Sequence, residues 1–366
     1  MVSRLIERLD VAIIRAENPL RRECLKAERA AALARHGQIA DARFALAGVR
    51  TQSLRHRSAL LSAWVQMVDG LIDYFESLAP KALDKFSRAH ALASGAGERP
   101  MQALAASWMA AVSFNASDLP ALQLQIREVL SLAAADHHAA RARIGLVLAD
   151  AFRYAGDDAR SQHWYQKTRE HASADGDASM MSALLHNIAA MRSARIGLED
   201  AFGRATLAEA SQALLEAEST ANYDWGARAA ALVAMVPVLR AQLLVVLGRY
   251  REATELFDAH LARARSEGMA HREARLLADR AWCHVNERRI ADALRDARLA
   301  ELALPKQPDP DDLAAAHGRL ARVYARCERN LDAEIHAAQA QGALLAHQAS
   351  QAQMLAALDN ALAGLA

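Results

Sequence analysis

The feature that most constrains the fold of this chain is a short segment that recurs along it. The segment GRYREATELF has a glycine at 248, an aromatic residue at 250, an alanine at 253 and an aromatic residue at 257. Looser copies begin near residues 36, 79, 155, 287 and 328. They share a turn residue, an apolar residue, and then a small and a bulky residue four positions apart. Recurrence of this kind predicts a repeat fold in which each copy is one structural unit.

In these copies the small residue and the residue four positions later form pairs that recur along the chain. They are Ala42 and Leu46, Ala82 and Phe86, Ser161 and Tyr165, Ala253 and Phe257, and Ala293 and Ala297.

Two sets of turns separate the helices. The short turns fall near residues 37, 77, 115, 156, 196, 248, 288 and 328, and most steps are close to 40 residues. The step from 196 to 248 is longer, and the segment GLEDAFGRATLAE accounts for the excess. Longer breaks rich in Asp, Ser, Gly and Pro lie at 93–100, 134–140, 173–179, 222–227, 265–271 and 305–312. Such residues supply turns and helix caps, so each unit is predicted to be a helix, a short turn, a helix and a longer turn.

Composition agrees with a nearly all-helical chain. Among 366 residues only 16 are glycine and 8 are proline, and Ala, Leu, Arg, Glu and Gln favour helix. We predict one domain over residues 1–366. About eight helix pairs cover residues 23–346, a capping helix lies within 1–22, and another lies within 347–366.

The best copy resembles the tetratricopeptide repeat family. Ala241, Gly248, Tyr250, Ala253 and Phe257 match its small, glycine, aromatic, alanine and aromatic positions, and HNIA at 186–189 is similar to a stretch of its first helix. The resemblance implies an all-α solenoid, a right-handed superhelix of stacked antiparallel helix pairs. The spacing near 40 residues is longer than the usual repeat of about 34, which is typical of the bacterial regulatory arrays of this family.

The charge balance and the cysteine content limit which classes of partner and which cellular compartment are expected for this chain. The chain has 44 basic and 43 acidic residues, so no general attraction to nucleic acid or anionic lipid is expected. No segment approaches the ~20 apolar residues of a membrane span. Cys24, Cys283 and Cys327 are far apart, which favours free thiols in a reducing compartment. We therefore expect a soluble, cytoplasmic protein.

No catalytic signature is present. Walker A, GxGxxG, HExxH and GxSxG motifs are all missing from the sequence, and the adjacent His137 and His138 point in different directions on a helix. Acidic clusters fall at predicted helix starts, where they complement the helix dipole. We expect no metal, no cofactor and no enzymatic activity.

The resemblance implies a binding groove lined by the first helix of each pair. Carried over by position, the residues of this groove are Arg143, Asp150, Arg153, Tyr154, His186, Asn187, Gln242, Trp282, Asn286, Arg319, Arg322 and Arg326. Arginine pairs well with carboxylates, and the aromatic residues offer apolar contacts. The ligand expected for this groove is a protein or peptide with apolar anchors and acidic residues.

Three functions stay open. The leading hypothesis is a non-enzymatic scaffold or regulatory adaptor that binds its partner in the groove. The alternative is the sensory module of a bacterial signalling protein whose output domain is absent from this chain, in which the alanine-rich segment after residue 339 couples domains or forms a homodimer. The third is an enzyme built on a helical solenoid, which a conserved acid or histidine cluster in the groove would favour. The irregular segment 197–207 is a candidate for movement on binding.

Overall fold

The chain is all-helical, as predicted. The computed structural model describes residues 3–77, 81–227, 235–267, 269–306 and 309–364, and within these ranges it has 17 α-helices and no strand. The helices are α1 (Arg4–Arg15), α2 (Pro19–Arg35), α3 (Ile39–His56), α4 (Ala59–Ser77), α5 (Ala82–Gly95), α6 (Arg99–Asn115), α7 (Leu119–Leu132), α8 (His138–Tyr154), α9 (Asp158–Asp175), α10 (Ala178–Ala201), α11 (Leu207–Ala227), α12 (Met235–Val246), α13 (Tyr250–Ser266), α14 (Glu273–Asn286), α15 (Ile290–Ala303), α16 (Pro310–Arg326) and α17 (Asn330–Leu362).

The chain divides into two compact units. Unit 1 comprises residues 1–185, 223–231 and 353–366, and unit 2 comprises residues 186–222 and 232–352. The single repeat domain over 1–366 and the right-handed path of the superhelix both stay predictions.

Each unit is built from helix pairs stacked side by side. In unit 1, α2, α4, α6 and α8 pack against α3, α5, α7 and α9. In addition, α2 contacts α4, α4 contacts α6 and α6 contacts α8. In unit 2, α12 and α14 pair with α13 and α15, while α12 contacts α14 and α14 contacts α16. Because one helix pair cannot cover its own apolar face, the neighbouring pair does so. This is the packing of an all-α helical-repeat solenoid.

The turns inside the pairs share one backbone conformation. Gly37, Gly156 and Gly248 have φ of 76°, 82° and 72°, in the left-handed region where glycine has no steric penalty. Across the turn at 248, the Arg249 N–H donates to the Leu244 carbonyl at 2.9 Å, which satisfies the end of α12. Turns centred on residues 117, 288 and 328 use the same left-handed conformation without glycine. The predicted turns near 37, 115, 156, 248, 288 and 328 are confirmed, and that near 77 adjoins residues outside the described ranges.

The predicted pairs of small and bulky residues are all buried. Phe86, Phe257 and the alanines of these pairs are fully inaccessible, and Tyr165 is 6% exposed. At Gly70, on the facing α4, an added Cβ would lie 2.6 Å from Cε1 of Phe86. Small residues on one helix therefore make room for bulky residues on the other.

The predicted turn at 196 is wrong. The helix α10 continues to Ala201, and the turn lies at Gly203, which has a φ of 71°. Gly197, next to the predicted turn, is inside the helix, where a Cβ would lie 2.5 Å from Nη2 of Arg275. Gly197 therefore allows Arg275 to pack closely against α10, and it does not reverse the chain direction.

The N-terminal helix α1 lies within the predicted 1–22, whereas the C-terminal helix differs from the expected capping helix. Near the N-terminus, α1 packs against α2 and also reaches the turn after α9, where the Leu5 N–H donates to the Gly176 carbonyl at 3.2 Å. Near the C-terminus, α17 runs from 330 to 362 without the predicted break at 347, and no proline interrupts it. The predicted break at 222–227 is also wrong, since α11 extends to residue 227.

Candidate ligand-binding site

An aromatic cluster forms the base of the candidate site in unit 1. Trp108, on α6, is buried, and its ring meets those of Tyr74 and Phe75 edge to face, at centroid distances of 5.5 and 5.7 Å. Edge-to-face contacts of this kind fix ring orientation. Tyr74 is held further by its hydroxyl, which accepts a hydrogen bond from Asn115 at 3.2 Å. The cluster is therefore a rigid apolar surface with one face of the indole turned toward α8.

The guanidinium of Arg143 lies on that indole face. Its Cζ is 3.7 Å from the centroid of the Trp108 ring, and the residue is 7% exposed. Among the residues that the structure describes, none forms a hydrogen bond or an ion pair with Arg143, and its Nε is buried without a partner. A buried guanidinium without a counter-ion is unusual, because desolvation strongly disfavours an unpaired charge.

The carboxylates that act electrostatically on Arg143 already have other partners. Asp177 accepts from Arg35 at 2.8 Å, and Asp150 accepts from the hydroxyl of Tyr165 at 2.7 Å. Burial lowers the pKa of Arg143 to about 10, and neighbouring charges do not restore it. Among the described residues, none pairs directly with this positive charge, and a bound carboxylate would provide such a partner.

The other predicted residues of α8 are partly committed to packing. Arg153 pairs with Asp158 at 2.8 Å across the turn into α9. Tyr154 is half-buried against the apolar core of unit 1 and has a partner within the chain. Of the four residues predicted on this helix, Arg143 is the one with no hydrogen bond or ion pair among the described residues.

In unit 2 the structure brings three predicted arginines together around the indole of a fourth predicted residue, Trp282. Trp282, on α14, is 6% exposed, and Arg322 on α16 stacks on its ring with Cζ 4.3 Å from the centroid. The guanidinium carbons of Arg319 and Arg326 lie 5.8 and 5.9 Å from the same centroid. We call these four residues the Trp282 cluster.

Within the Trp282 cluster, Arg319 serves the fold. It is 1% exposed and pairs with Asp200 of α10 at 2.6 Å and with Asp279 of α14 at 2.9 Å. Burial opposes its charge, but the two carboxylates outweigh burial and raise the pKa of Arg319. The predicted Gln242 joins this network by donating to Asp279 at 3.2 Å. Arg319 therefore links α10, α14 and α16. Because the two carboxylates neutralise its charge, it is not a candidate for binding a ligand.

Arg322 and Arg326 are more accessible. Arg322 donates to the backbone carbonyl of Asp200 at 2.6 Å, while 36% of its side chain is exposed. Burial, and then repulsion from Arg319, lowers the pKa of Arg322. Arg326 is exposed and has no ion pair among the described residues. Three arginines thus face two carboxylates, which leaves the accessible side of the cluster positive.

The remaining predicted residues of unit 2 make local contacts. His186 is buried and Asn187 is half-buried on α10, and both have partners in the chain. Asn286 donates to the Trp282 carbonyl one turn earlier, at 2.8 Å.

Sequence reasoning missed the aromatic side of the first site. Tyr74 and Trp108 lie on α4 and α6, where the repeat pattern is degenerate and offers no positions to carry over. Among the residues that the structure describes, no three His, Cys, Asp or Glu side chains converge on a common metal position. Within those same ranges no helix is long and apolar enough to span a membrane.

Comparison with known proteins supports the fold. No protein-family profile matches the sequence, and no curated protein is similar to it. Among solved structures, a Rap protein complexed with competence and sporulation factor aligns with a TM-score of 0.54 and 12% identity, covering 94% of this chain and 92% of that one. At this identity the alignment shows a shared helical-repeat fold over nearly the full length of both chains.

Proposed function

We propose that this chain is a non-enzymatic regulatory or adaptor protein of the tetratricopeptide-repeat type that binds a peptide or protein segment. Arg143 is proposed to hold a carboxylate of that ligand. The observation that carries the proposal is a buried guanidinium stacked on Trp108 with no counter-ion among the described residues.

A carboxylate would remove the electrostatic penalty of this arrangement. A guanidinium can take two parallel N–H···O bonds from one carboxylate, with N···O distances of about 2.7–2.9 Å. The indole of Trp108 would hold the guanidinium plane in place, so little side-chain freedom would be lost on binding. The ligand group is therefore an Asp or Glu side chain or a free C-terminus.

Apolar anchors on the ligand would complete the recognition. Tyr74 and Phe75 are half-buried beside Trp108 and present apolar surface near the charge. Peptide-binding sites commonly combine a few such anchors with one well-placed polar contact. The similar Rap structure, which was solved in complex with competence and sporulation factor, supports partner binding by this fold.

The accessible side of the Trp282 cluster suits a second acidic contact in unit 2. Arg322 and Arg326 are its candidates, since Arg319 is neutralised by Asp200 and Asp279. The balanced net charge of +1 supports a protein ligand rather than nucleic acid or a membrane surface.

Selection of short random peptides on the full chain tests the proposal. Peptides retained by the wild type but released by Arg143→Gln should be enriched in Asp and Glu or should require a free C-terminus. Arg169→Gln, which removes an exposed arginine of α9 in the same unit, is the matched control and should retain them. Peptides that bind Arg143→Gln as well as they bind the wild type would contradict the proposal.

A further inference from the structure

The C-terminal helix α17 carries an exposed apolar stripe. Its members are Leu331, Ile335, Ala338, Gly342, Leu345, Ala349 and Ala352. All seven are exposed, and the three large ones, Leu331, Ile335 and Leu345, are 71%, 48% and 57% accessible. The opposite side of the helix is buried at His336, Ala340, Leu344 and His347. The helix therefore has one face packed in unit 2 and a second apolar face that no described residue covers.

The spacing of this stripe is that of a helix–helix seam. Its members alternate by four and three residues along the helix, which is the heptad pattern that keeps one face turned toward a partner helix. At 1.5 Å per residue the stripe is about 30 Å long, or roughly three heptads. No charged residue lies within it. Scattered exposed apolar residues need no explanation, but a sustained stripe does.

We propose that two copies of this chain associate through this stripe, with the two α17 helices antiparallel. The surface is called the α17 seam below. The proposal is independent of ligand binding at Arg143.

The order of large and small residues is what fits a second antiparallel copy. A two-fold axis beside Gly342 would place Leu331 opposite Ala352 of the second copy. The same axis would place Ile335 opposite Ala349 and Leu345 opposite Ala338. Each large side chain thus meets a small one, and the two glycines meet at the crossing, where nothing lies within 4 Å of the Gly342 Cβ position. A symmetric interface must be self-complementary in this way.

A parallel pair fits less well. It would place each large residue beside its own copy and would leave gaps where alanine faces alanine. It would also bring together the two acidic ends at Asp332 and Glu334 and the two like ends of the helix dipoles. Further along, the residues that flank the seam are uncharged, at Gln339, Gln341, Ala346 and Gln348. Such an uncharged flank does not favour a basic or an acidic partner. It is compatible with a second copy of this chain, whose flank is equally uncharged.

Sedimentation velocity over a concentration series tests the association. The wild-type chain should dimerise, and Ile335→Glu or Leu345→Glu should weaken the dimer by about 100-fold or more, because each dimer would bury two unpaired charges. Ala337→Glu adds the same charge at an exposed position outside the seam and should leave the dimer intact. Since the substituted side chains are exposed, helical content should be unchanged in all three variants.

Two results would overturn the proposal. One is a wild-type chain that stays monomeric at about 100 μM, well above the range of specific self-association. The other is a dimer that Ile335→Glu and Ala337→Glu affect equally, which would place the contact elsewhere.

Spin-label distances test the direction of the pairing. In an antiparallel dimer, labels on cysteines replacing Glu334 should be farther apart than labels replacing Gln341 by about 10 Å or more, because residue 341 lies next to the axis. Equal distances at the two positions would indicate a parallel pair and would contradict the antiparallel seam.

Discussion

The guanidinium of Arg143 stacks on the ring of Trp108 at 3.7 Å, and no described carboxylate pairs with it. Arg319, in unit 2, is also buried but pairs with both Asp200 and Asp279. Both arginines are predicted as groove residues from the same sequence pattern, yet they differ in whether the guanidinium has a counter-ion. One is a charge without a counter-ion, and the other is part of the fold.

Replacing each arginine with methionine should separate these roles. Arg143→Met removes an unpaired buried charge, so the free energy of unfolding should stay within about 1 kcal/mol of the wild type or rise, since the cation–π interaction with Trp108 contributes only about 1–2 kcal/mol. Arg319→Met removes the arginine that links the buried Asp279 to Asp200 and should destabilise unit 2 by about 3–5 kcal/mol. Chemical denaturation of both variants measures the difference. Equal destabilisation by the two substitutions would show that Arg143 also serves the fold.

Substitution of two helical glycines by alanine should change the stability of the chain in opposite directions. At Gly70 a Cβ would lie 2.6 Å from Phe86, so Gly70→Ala should cost about 1–3 kcal/mol of stability. At Gly48, in α3, nothing lies within 4 Å of the Cβ position, so Gly48→Ala should stabilise the chain by about 1 kcal/mol. Thermal melts of the two variants check this. A neutral Gly70→Ala would mean that α4 and α5 are less tightly packed than the structure shows.

A histidine pair should make stability depend on pH. Nδ1 of His317 lies 2.8 Å from Nδ1 of His336, so one ring must donate and the other must accept. Nε2 of His336 is 3.1 Å from Glu301, which also accepts from the Tyr324 hydroxyl. Burial, and then repulsion from His336, lowers the pKa of His317 from 6.5 to about 4.

Because the unfolded chain binds this proton at a higher pH than the folded chain does, stability should fall as pH drops from about 6.5 to about 4. His317→Gln should make the loss over this range smaller by about 1–2 kcal/mol. Urea midpoints at several pH values, for the wild type and the variant, measure this. Parallel curves for the two proteins would show that His317 does not titrate in that window.

Asp200 should control the mobility of the end of α10. It pairs with Arg319 through its side chain and accepts from Arg322 through its carbonyl. Asp200→Ala should speed hydrogen exchange of residues 197–201 by about tenfold or more, because one anchor of this helix end is lost. Asp258→Ala is the control, since its partner Arg280 keeps Asp296. Exchange as slow as in the wild type would contradict a role for Asp200 in holding the end of α10.

Much of the fold could be predicted because the repeat imposes a local pattern. A left-handed turn residue, a small residue and a buried bulky residue recur at fixed distances, and each has a physical reason to be where it is. Gly248, Ala253 and Phe257 show all three. The prediction failed near residue 196, where the pattern places a turn but the chain stays helical, and Gly197 makes room for Arg275 inside α10.

The candidate site could be predicted only in part. The pattern indicated which helix face Arg143 and Arg319 occupy, but it contains no information on their partners, which come from other helices. Trp108 stacks on Arg143, and Asp200 pairs with Arg319. Neither partner belongs to a well-preserved copy of the repeat. Whether an arginine is paired is a property of tertiary packing.

A double-mutant cycle tests the central claim most directly. A peptide that survives selection is titrated calorimetrically into the wild type and Arg143→Gln, both as selected and with its carboxylate replaced by an amide. We predict a coupling energy of about 1.5 kcal/mol or more between Arg143 and that carboxylate, since charge-assisted pairs at interfaces reach this range. Strictly additive losses, with a coupling near zero, would show that the carboxylate does not bind at Arg143.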